Sequence, residues 1–174
     1  NTASEEEIKA TCPWATTGKG KREKHNIITS VELQSEVMEQ NNLRLQAKYA
    51  EIKANEVRYE VSGMEDADYM IVAFGSAARI SQKAVELAAE RGIKVGVFRP
   101  ITLWPFPEKE IREYSKNLKG VLTMEINAGQ MVHDVRLAVG ERIPVEHFGR
   151  LGGIVPDPEE VVKALVALTK KANG

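Results

Sequence analysis

Asn127, Gly129 and Gln130 form a short polar run, NAGQ, between an apolar stretch and a helix-forming one. Asn and Gln supply amide donors and acceptors, and a glycine between them lets the backbone turn sharply. Such a turn either caps the helix that follows or faces a partner's active site. Arg99 and Arg150 each fall at or just past the end of an apolar run. A guanidinium there can grip a carboxylate or phosphate with two parallel hydrogen bonds, or pair with Glu125 or Glu146 as structure. Lys19, Lys21, Arg22, Lys24 and His25 crowd into one loop. That loop reads as a solvated surface, or as a docking point for a phosphate or an acidic partner. The other chemistry is thin. His133 and His147 have no nucleophile beside them, and no paired carboxylates or metal-ligand cluster falls at a useful spacing. The single cysteine, Cys12, cannot make an internal disulfide or hold an iron–sulfur cluster or structural zinc alone. GSAARI at 75–80 has one glycine where a dinucleotide fingerprint needs three. Residue by residue, the chain reads as a module without self-contained chemistry.

The elements that position these residues centre on 68–107. An apolar run at 69–74 ends in Gly75 and Ser76. A helical pattern follows, with Ile80, Ala84, Leu87 and Ala88 at turn spacing, and Gly92 closes it. A second apolar run covers 95–101, then Trp104, Pro105, Phe106 and Pro107. Strand, turn, helix, glycine stop and strand is the sequence form of a right-handed crossover. Both strands are nearly continuous apolar runs, as expected for a parallel sheet covered on both faces. The pattern repeats downstream. A helix starts at Pro107 and stops at Gly120, a third strand covers 121–126, a third helix 130–139, and a fourth strand 143–148. Asp157, Pro158 and Glu160 then open a last helix as N-cap, N1 and N3. Four β-α repeats predict a doubly wound, mostly parallel α/β sheet over residues 63–174. Residues 1–62 read as an N-terminal arm: the basic loop plus a helix at 35–55 whose narrow stripe is Met38, Leu45, Tyr49 and Ile52.

Composition narrows the class. The 174 residues are 43% hydrophobic, enough for a core, and carry a formal net charge of -1, which points to neither nucleic acid nor an anionic membrane. No apolar run reaches the roughly 18–20 residues that span a bilayer, and no signal peptide is visible. One thiol fits a reducing cytoplasm. A first residue other than methionine suggests a processed chain or a piece of a longer one.

The segments PWATTGKGKREKHNIITS, NEVRYE, VAFGSAARI, FRPITLWPFP, EINAGQMVHDVRLAV and FGRLGGIVP, in this order and spacing, are together similar to the C-terminal part of the alpha subunit of 2-oxoacid:ferredoxin oxidoreductases. The branched-chain type, acting on 2-oxoisovalerate, is the nearest likeness. The GS turn and the WPFP segment also resemble the transketolase C-terminal domain. The resemblance implies an enzyme that decarboxylates a 2-oxo acid on thiamine diphosphate and Mg2+, passes electrons through iron–sulfur clusters to ferredoxin, and releases an acyl-CoA. It also implies that the cofactors lie in other domains and subunits and that none lies in this chain. This piece would be a transketolase-C-like domain, inactive alone, packed on the beta, gamma and delta subunits and making homodimer contacts. The loops at Asn127, Gly129, Gln130, Arg99 and Arg150 would then lie near a substrate or CoA channel or an interface. An exposed apolar patch drawn from Trp14, Trp104, Phe106, Leu45, Tyr49 and Ile52 is expected where partners are missing. Two other readings stand beside it: a stand-alone module binding a small molecule at the strand ends, and the C-terminal domain of a transketolase or of a dehydrogenase E1 beta chain.

Overall fold

The computed structural model describes residues 3–12, 14, 15, 18, 19 and 23–172. The chain divides into two compact units, Asn1–Ala47 and Lys48–Gly174. In the first, Ser4 caps α1 (Glu5–Thr11) in a reciprocal capping box with Glu7. Residues 25–34 follow without regular structure, and α2 (Ser35–Asn55) begins before the division and runs past it. No residue of α2 is buried. Of the five basic residues of the loop, Lys19, Lys24 and His25 are described, and Lys21 and Arg22 lie outside the described residues.

The second unit is a five-stranded sheet in the order β1-β3-β2-β4-β5. Its strands are β1 (Tyr59–Ser62), β2 (Tyr69–Ala73), β3 (Val95–Pro100), β4 (Gly120–Glu125) and β5 (Val145–Gly149). β2 pairs in parallel with β3 and β4, and β4 with β5. These are the four strands expected from the apolar runs. The fifth, β1, adds antiparallel to β3, so residues 59–62 belong to the sheet and not to the arm expected over 1–62. Its four residues, YEVS, are all exposed, so no apolar run marks it. Tyr59 nonetheless stacks on Phe98 with ring centroids 5.0 Å apart and covers that edge of the core.

Alternate residues of β2 point to opposite faces. Tyr69, Ile71 and Ala73 pack with Leu122 and Met124 against α3 (Gly75–Ala89) and α6 (Pro158–Ala172). Met70 and Val72 pack with Phe98 and Val121 against α4 (Glu108–Tyr114) and α5 (Met131–Val139). Helices cover both faces, so the unit is doubly wound. α6 opens as its sequence predicts: Asp157 Oδ1 accepts from the Glu159 amide at 2.8 Å, and the Asp157 amide donates to Glu160 Oε2 at 3.0 Å. α4 begins one position late, because Pro107 is its N-cap rather than its first helical residue, and it ends at Tyr114 with Ser115 as C-cap, short of the expected stop at Gly120, which instead opens β4. Among the described residues no helix is long and apolar enough to cross a membrane.

Candidate functional site

The carboxyl ends of β2, β3, β4 and β5 form the edge where an open α/β sheet places its ligands. At its centre is Glu125, the last residue of β4, fully buried. The β4–α5 connection is only five residues long, so the start of α5 lies over the strand end that it leaves. Glu125 fills the N-terminus of α5. Its Oε1 accepts from the Val132 amide at 3.1 Å, and its Oε2 accepts from Met131 at 3.0 Å, Gln130 at 3.1 Å and Asn127 Nδ2 at 3.1 Å. A carboxylate has about four lone-pair directions, and these donors use them. The charge also sits at the positive end of the helix. Burial works to raise the Glu125 carboxyl. The amides of Met131 and Gln130, the Asn127 side chain and the Val132 amide outweigh it and hold the group below its ordinary value.

The turn is tied by its own side chains. Asn127 Oδ1 accepts from the Gly129 amide at 2.7 Å, and Gly129 takes φ +104, a conformation open to glycine and costly for other residues. Gly149 passes close by at the end of β5. A Cβ there would overlap the Asn127 carbonyl oxygen and lie 2.7 Å from His147 Nε2.

His147 rests between Thr123 and Glu125. Its Nδ1 is 3.3 Å from Thr123 Oγ1 and 3.5 Å from Glu125 Oε1. The Thr123 hydroxyl also lies within hydrogen-bond distance of the Glu146 carbonyl, 3.2 Å away. A hydroxyl, an imidazole and a carboxylate side by side suggest a hydrolytic triad. The geometry rules that out. In a triad the nucleophile and the acid bond to opposite ring nitrogens, whereas here both face Nδ1. Thr123 is also fully buried.

The structure brings three of the sequence-marked residues together and keeps two apart. Asn127, Gly129 and Gln130 form the turn over Glu125. Arg99 sits in β3 directly opposite Glu60 of β1 and bonds it at 2.8 Å. Arg150 follows β5 and bonds Glu160 of α6 at 2.8 Å. Neither takes Glu125 or Glu146 as its partner: Glu125 is held by α5, and Glu146 pairs with Lys171. Sequence reading treated Glu125 only as an ion-pair partner. The available signal was a glutamate ending an apolar strand five residues before a helix whose first turn has no Ser, Thr or Asp cap.

Beside the turn a cleft of about 200 Å³ is lined by Phe74, Leu103, Phe106, Glu125, Gln130, Met131 and Asp134. Around it the edge exposes Ile101, Leu103, Trp104, Ile126, Leu151, Ile154 and Val155. Of the residues expected to form a patch, Trp14, Tyr49 and Trp104 are exposed, Leu45 and Ile52 are half-buried, and Trp104 meets Tyr49 edge-on at 5.5 Å. Phe106 is instead partly buried against the core on the α4–α5 face. Among the described residues no group of three or more His, Cys, Asp or Glu is placed to hold a metal ion.

Residues 67–161 match the family described as Pyruvate:ferredoxin oxidoreductase core domain II. The Ketoisovalerate oxidoreductase subunit VorB of Methanothermobacter marburgensis is 38% identical over 92% of this chain and 45% of its own length. The subunit of the same name from Methanothermobacter thermautotrophicus is 41% identical over 87% of this chain and 43% of its own length. The chain therefore spans less than half the length of these curated relatives. In fold, it is similar to a 2-oxoglutarate:ferredoxin oxidoreductase from Magnetococcus marinus, with a TM-score of 0.60 and 24% identity over 82% of this chain and 24% of that one. A split gene transketolase gives a TM-score of 0.55 and 22% identity over 65% of this chain and 41% of that one.

Proposed function

This chain belongs to the Pyruvate:ferredoxin oxidoreductase core domain II family, within the 2-oxoacid:ferredoxin oxidoreductases, and from that premise we propose that it is the part of a VorB-like subunit that seats the catalytic domains against one another. The enzyme would convert a branched-chain 2-oxo acid such as 2-oxoisovalerate to its acyl-CoA and reduce ferredoxin. The names of the relatives support that substrate class. One observation carries the seating role: the carboxyl edge of the sheet exposes seven large apolar side chains around a turn locked by Glu125. Apolar side chains gathered on one edge mark an interaction surface.

The edge offers no matched set of groups for thiamine diphosphate and Mg2+: Asp134 is the one carboxylate left over in the cleft, and among the described residues no group of three or more His, Cys, Asp or Glu is placed to hold a metal ion. Binding them needs free carboxylate oxygens for the cation and free donors for the phosphates. The lone pairs of Glu125 are filled by amides, and Arg99 and Arg150 are committed to Glu60 and Glu160. We therefore assign thiamine diphosphate, Mg2+, the iron–sulfur clusters and the CoA site to other parts of the enzyme. A homodimer contact is part of the same proposal, and the lone cysteine supports a reducing, cytoplasmic setting.

The test is the subunit combined with its partner subunits, assayed for CoA-dependent ferredoxin reduction with 2-oxoisovalerate, 2-oxoglutarate and pyruvate. The highest kcat/KM is expected with 2-oxoisovalerate. Calorimetry of this chain alone with thiamine diphosphate, CoA or adenine nucleotides should show no heat of binding. Tight binding of any of them would overturn the seating role in favour of a ligand site at the strand ends.

A further inference from the structure

The cleft beside the turn has a shape and charge of its own. Its walls are Phe74, Leu103, Phe106 and Met131, and its polar groups are Glu125, Gln130 and Asp134. At about 200 Å³ it falls below the roughly 300–1,000 Å³ of small-molecule sites and matches a single side chain. Both ionisable groups that line it are carboxylic acids, and no basic side chain lines it. A 2-oxo acid or a phosphate would meet repulsion there. Glu125 has spent its lone pairs on α5, which leaves the exposed Asp134 carboxylate and the Gln130 side-chain amide to receive a donor. Leu103, one of the walls, is 47% exposed, so it can close over an inserted group and exclude water.

Resting on the reading of this chain as part of an oxidoreductase subunit, we propose that the cleft is a socket for one lysine or arginine side chain presented by a partner subunit. The aliphatic stem would lie along Phe106 and Met131. The cationic head would donate to Asp134 and to the Gln130 side-chain oxygen. A guanidinium would also find the aromatic walls favourable. The relatives are named as subunits, so a second polypeptide is available to supply the group.

The experiment uses the full subunit and its partner subunits and measures their dissociation constant by light scattering and titration at two salt concentrations. Asp134→Asn should weaken association by on the order of thirtyfold or more, and Asp134→Arg by more still. The salt dependence should fall in both variants. Leu103→Ala should weaken association without changing its salt dependence. Glu141→Gln, the same charge change just beyond the other end of α5, should have no effect. Each variant is checked for an unchanged thermal midpoint. If Asp134→Arg associates as tightly as wild type while the enzyme turns over, the socket is wrong and the functional reading stands. If Glu141→Gln weakens association equally, net charge alone is responsible and the socket is overturned. If Asp134→Arg leaves association intact but lowers the thermal midpoint of the lone subunit, the cation comes from the subunit's own chain, which also overturns the proposal. If wild-type subunits neither associate nor reduce ferredoxin, the functional reading fails and the socket with it.

Discussion

Glu125 is the residue on which the carboxyl edge depends. Its side chain does for α5 what a capping residue does for an ordinary helix, from a position five residues upstream and fully buried. Replacing it with glutamine keeps the shape but turns one acceptor into a donor that faces backbone donors. Glu125→Gln should cost about 1–3 kcal/mol in chemical denaturation at pH 7, the usual penalty for buried groups left unpaired. The pH dependence follows from the depressed carboxyl. A group lower in the folded than in the unfolded chain stabilises fully above its unfolded value, about 4.3 for glutamate. That stability is lost as pH falls through the folded value. Wild type should therefore lose stability on acidification below about pH 4.3, and Glu125→Gln should flatten that limb of the curve. Gly149→Ala probes the same crowding. A methyl group there meets the Asn127 carbonyl, a backbone atom with little room to yield, so a loss of about 1–3 kcal/mol is expected. The exposed Arg99–Glu60 pair is a different matter: Arg99→Ala should change stability by less than about 1 kcal/mol.

At the level of elements, α6 shows how much local sequence can specify. Asp157, Pro158 and Glu160 mark its start, and each takes the place in the helix that its type prefers. Asp157→Ala should cost about 1 kcal/mol, measured as a lower denaturant midpoint with an unchanged slope. Glu160 also anchors Arg150, so Glu160→Ala removes a capping-box bond and an ion pair together and should cost more than Asp157→Ala. β1 shows the opposite case. It has four exposed residues on a sheet edge and owes its place to pairing with β3 and to one aromatic stack. No period within YEVS distinguishes it from a loop, because its ladder partner is some forty residues away.

For the molecule as a whole, the apolar side chains left in water fall into two sets, one in each compact unit. In Lys48–Gly174 a group collects at the carboxyl edge, around Ile101, Leu103, Trp104, Ile126 and Ile154, while Tyr59 and Val61 on β1 and Leu137 on α5 lie apart from it. Among the described residues of Asn1–Ala47 they include Ile27, 86% exposed, and Leu33, 91% exposed, in the irregular 25–34 segment, with Ile8, Trp14, Val37 and Leu43 outside it. This chain alone should bind a hydrophobic dye and self-associate on a sizing column. Trp104→Ser combined with Ile154→Ser should reduce both effects while leaving the far-UV circular dichroism unchanged. An unaltered dye signal would mean that this edge is not the exposed surface responsible.

The apolar runs at 69–74, 95–101, 121–126 and 143–148, with their helix stops and caps, were enough to specify a parallel sheet covered on both faces. A buried strand and a capped helix are written within a few neighbouring residues. Asn127, Gly129 and Gln130 could be singled out for the same reason, since a polar turn with a glycine is a local signal. Tertiary structure alone decided what that turn rests on. Glu125, Thr123, His147 and Gly149 meet only because β4 and β5 pair in register, and the cleft at Asp134 exists only where the loops after β2 and β3 approach the start of α5. The partners of Arg99 and Arg150 were settled in the same way, by which strand and helix came to lie beside them. Such contacts join residues far apart in the chain, and no pattern within a short window encodes them.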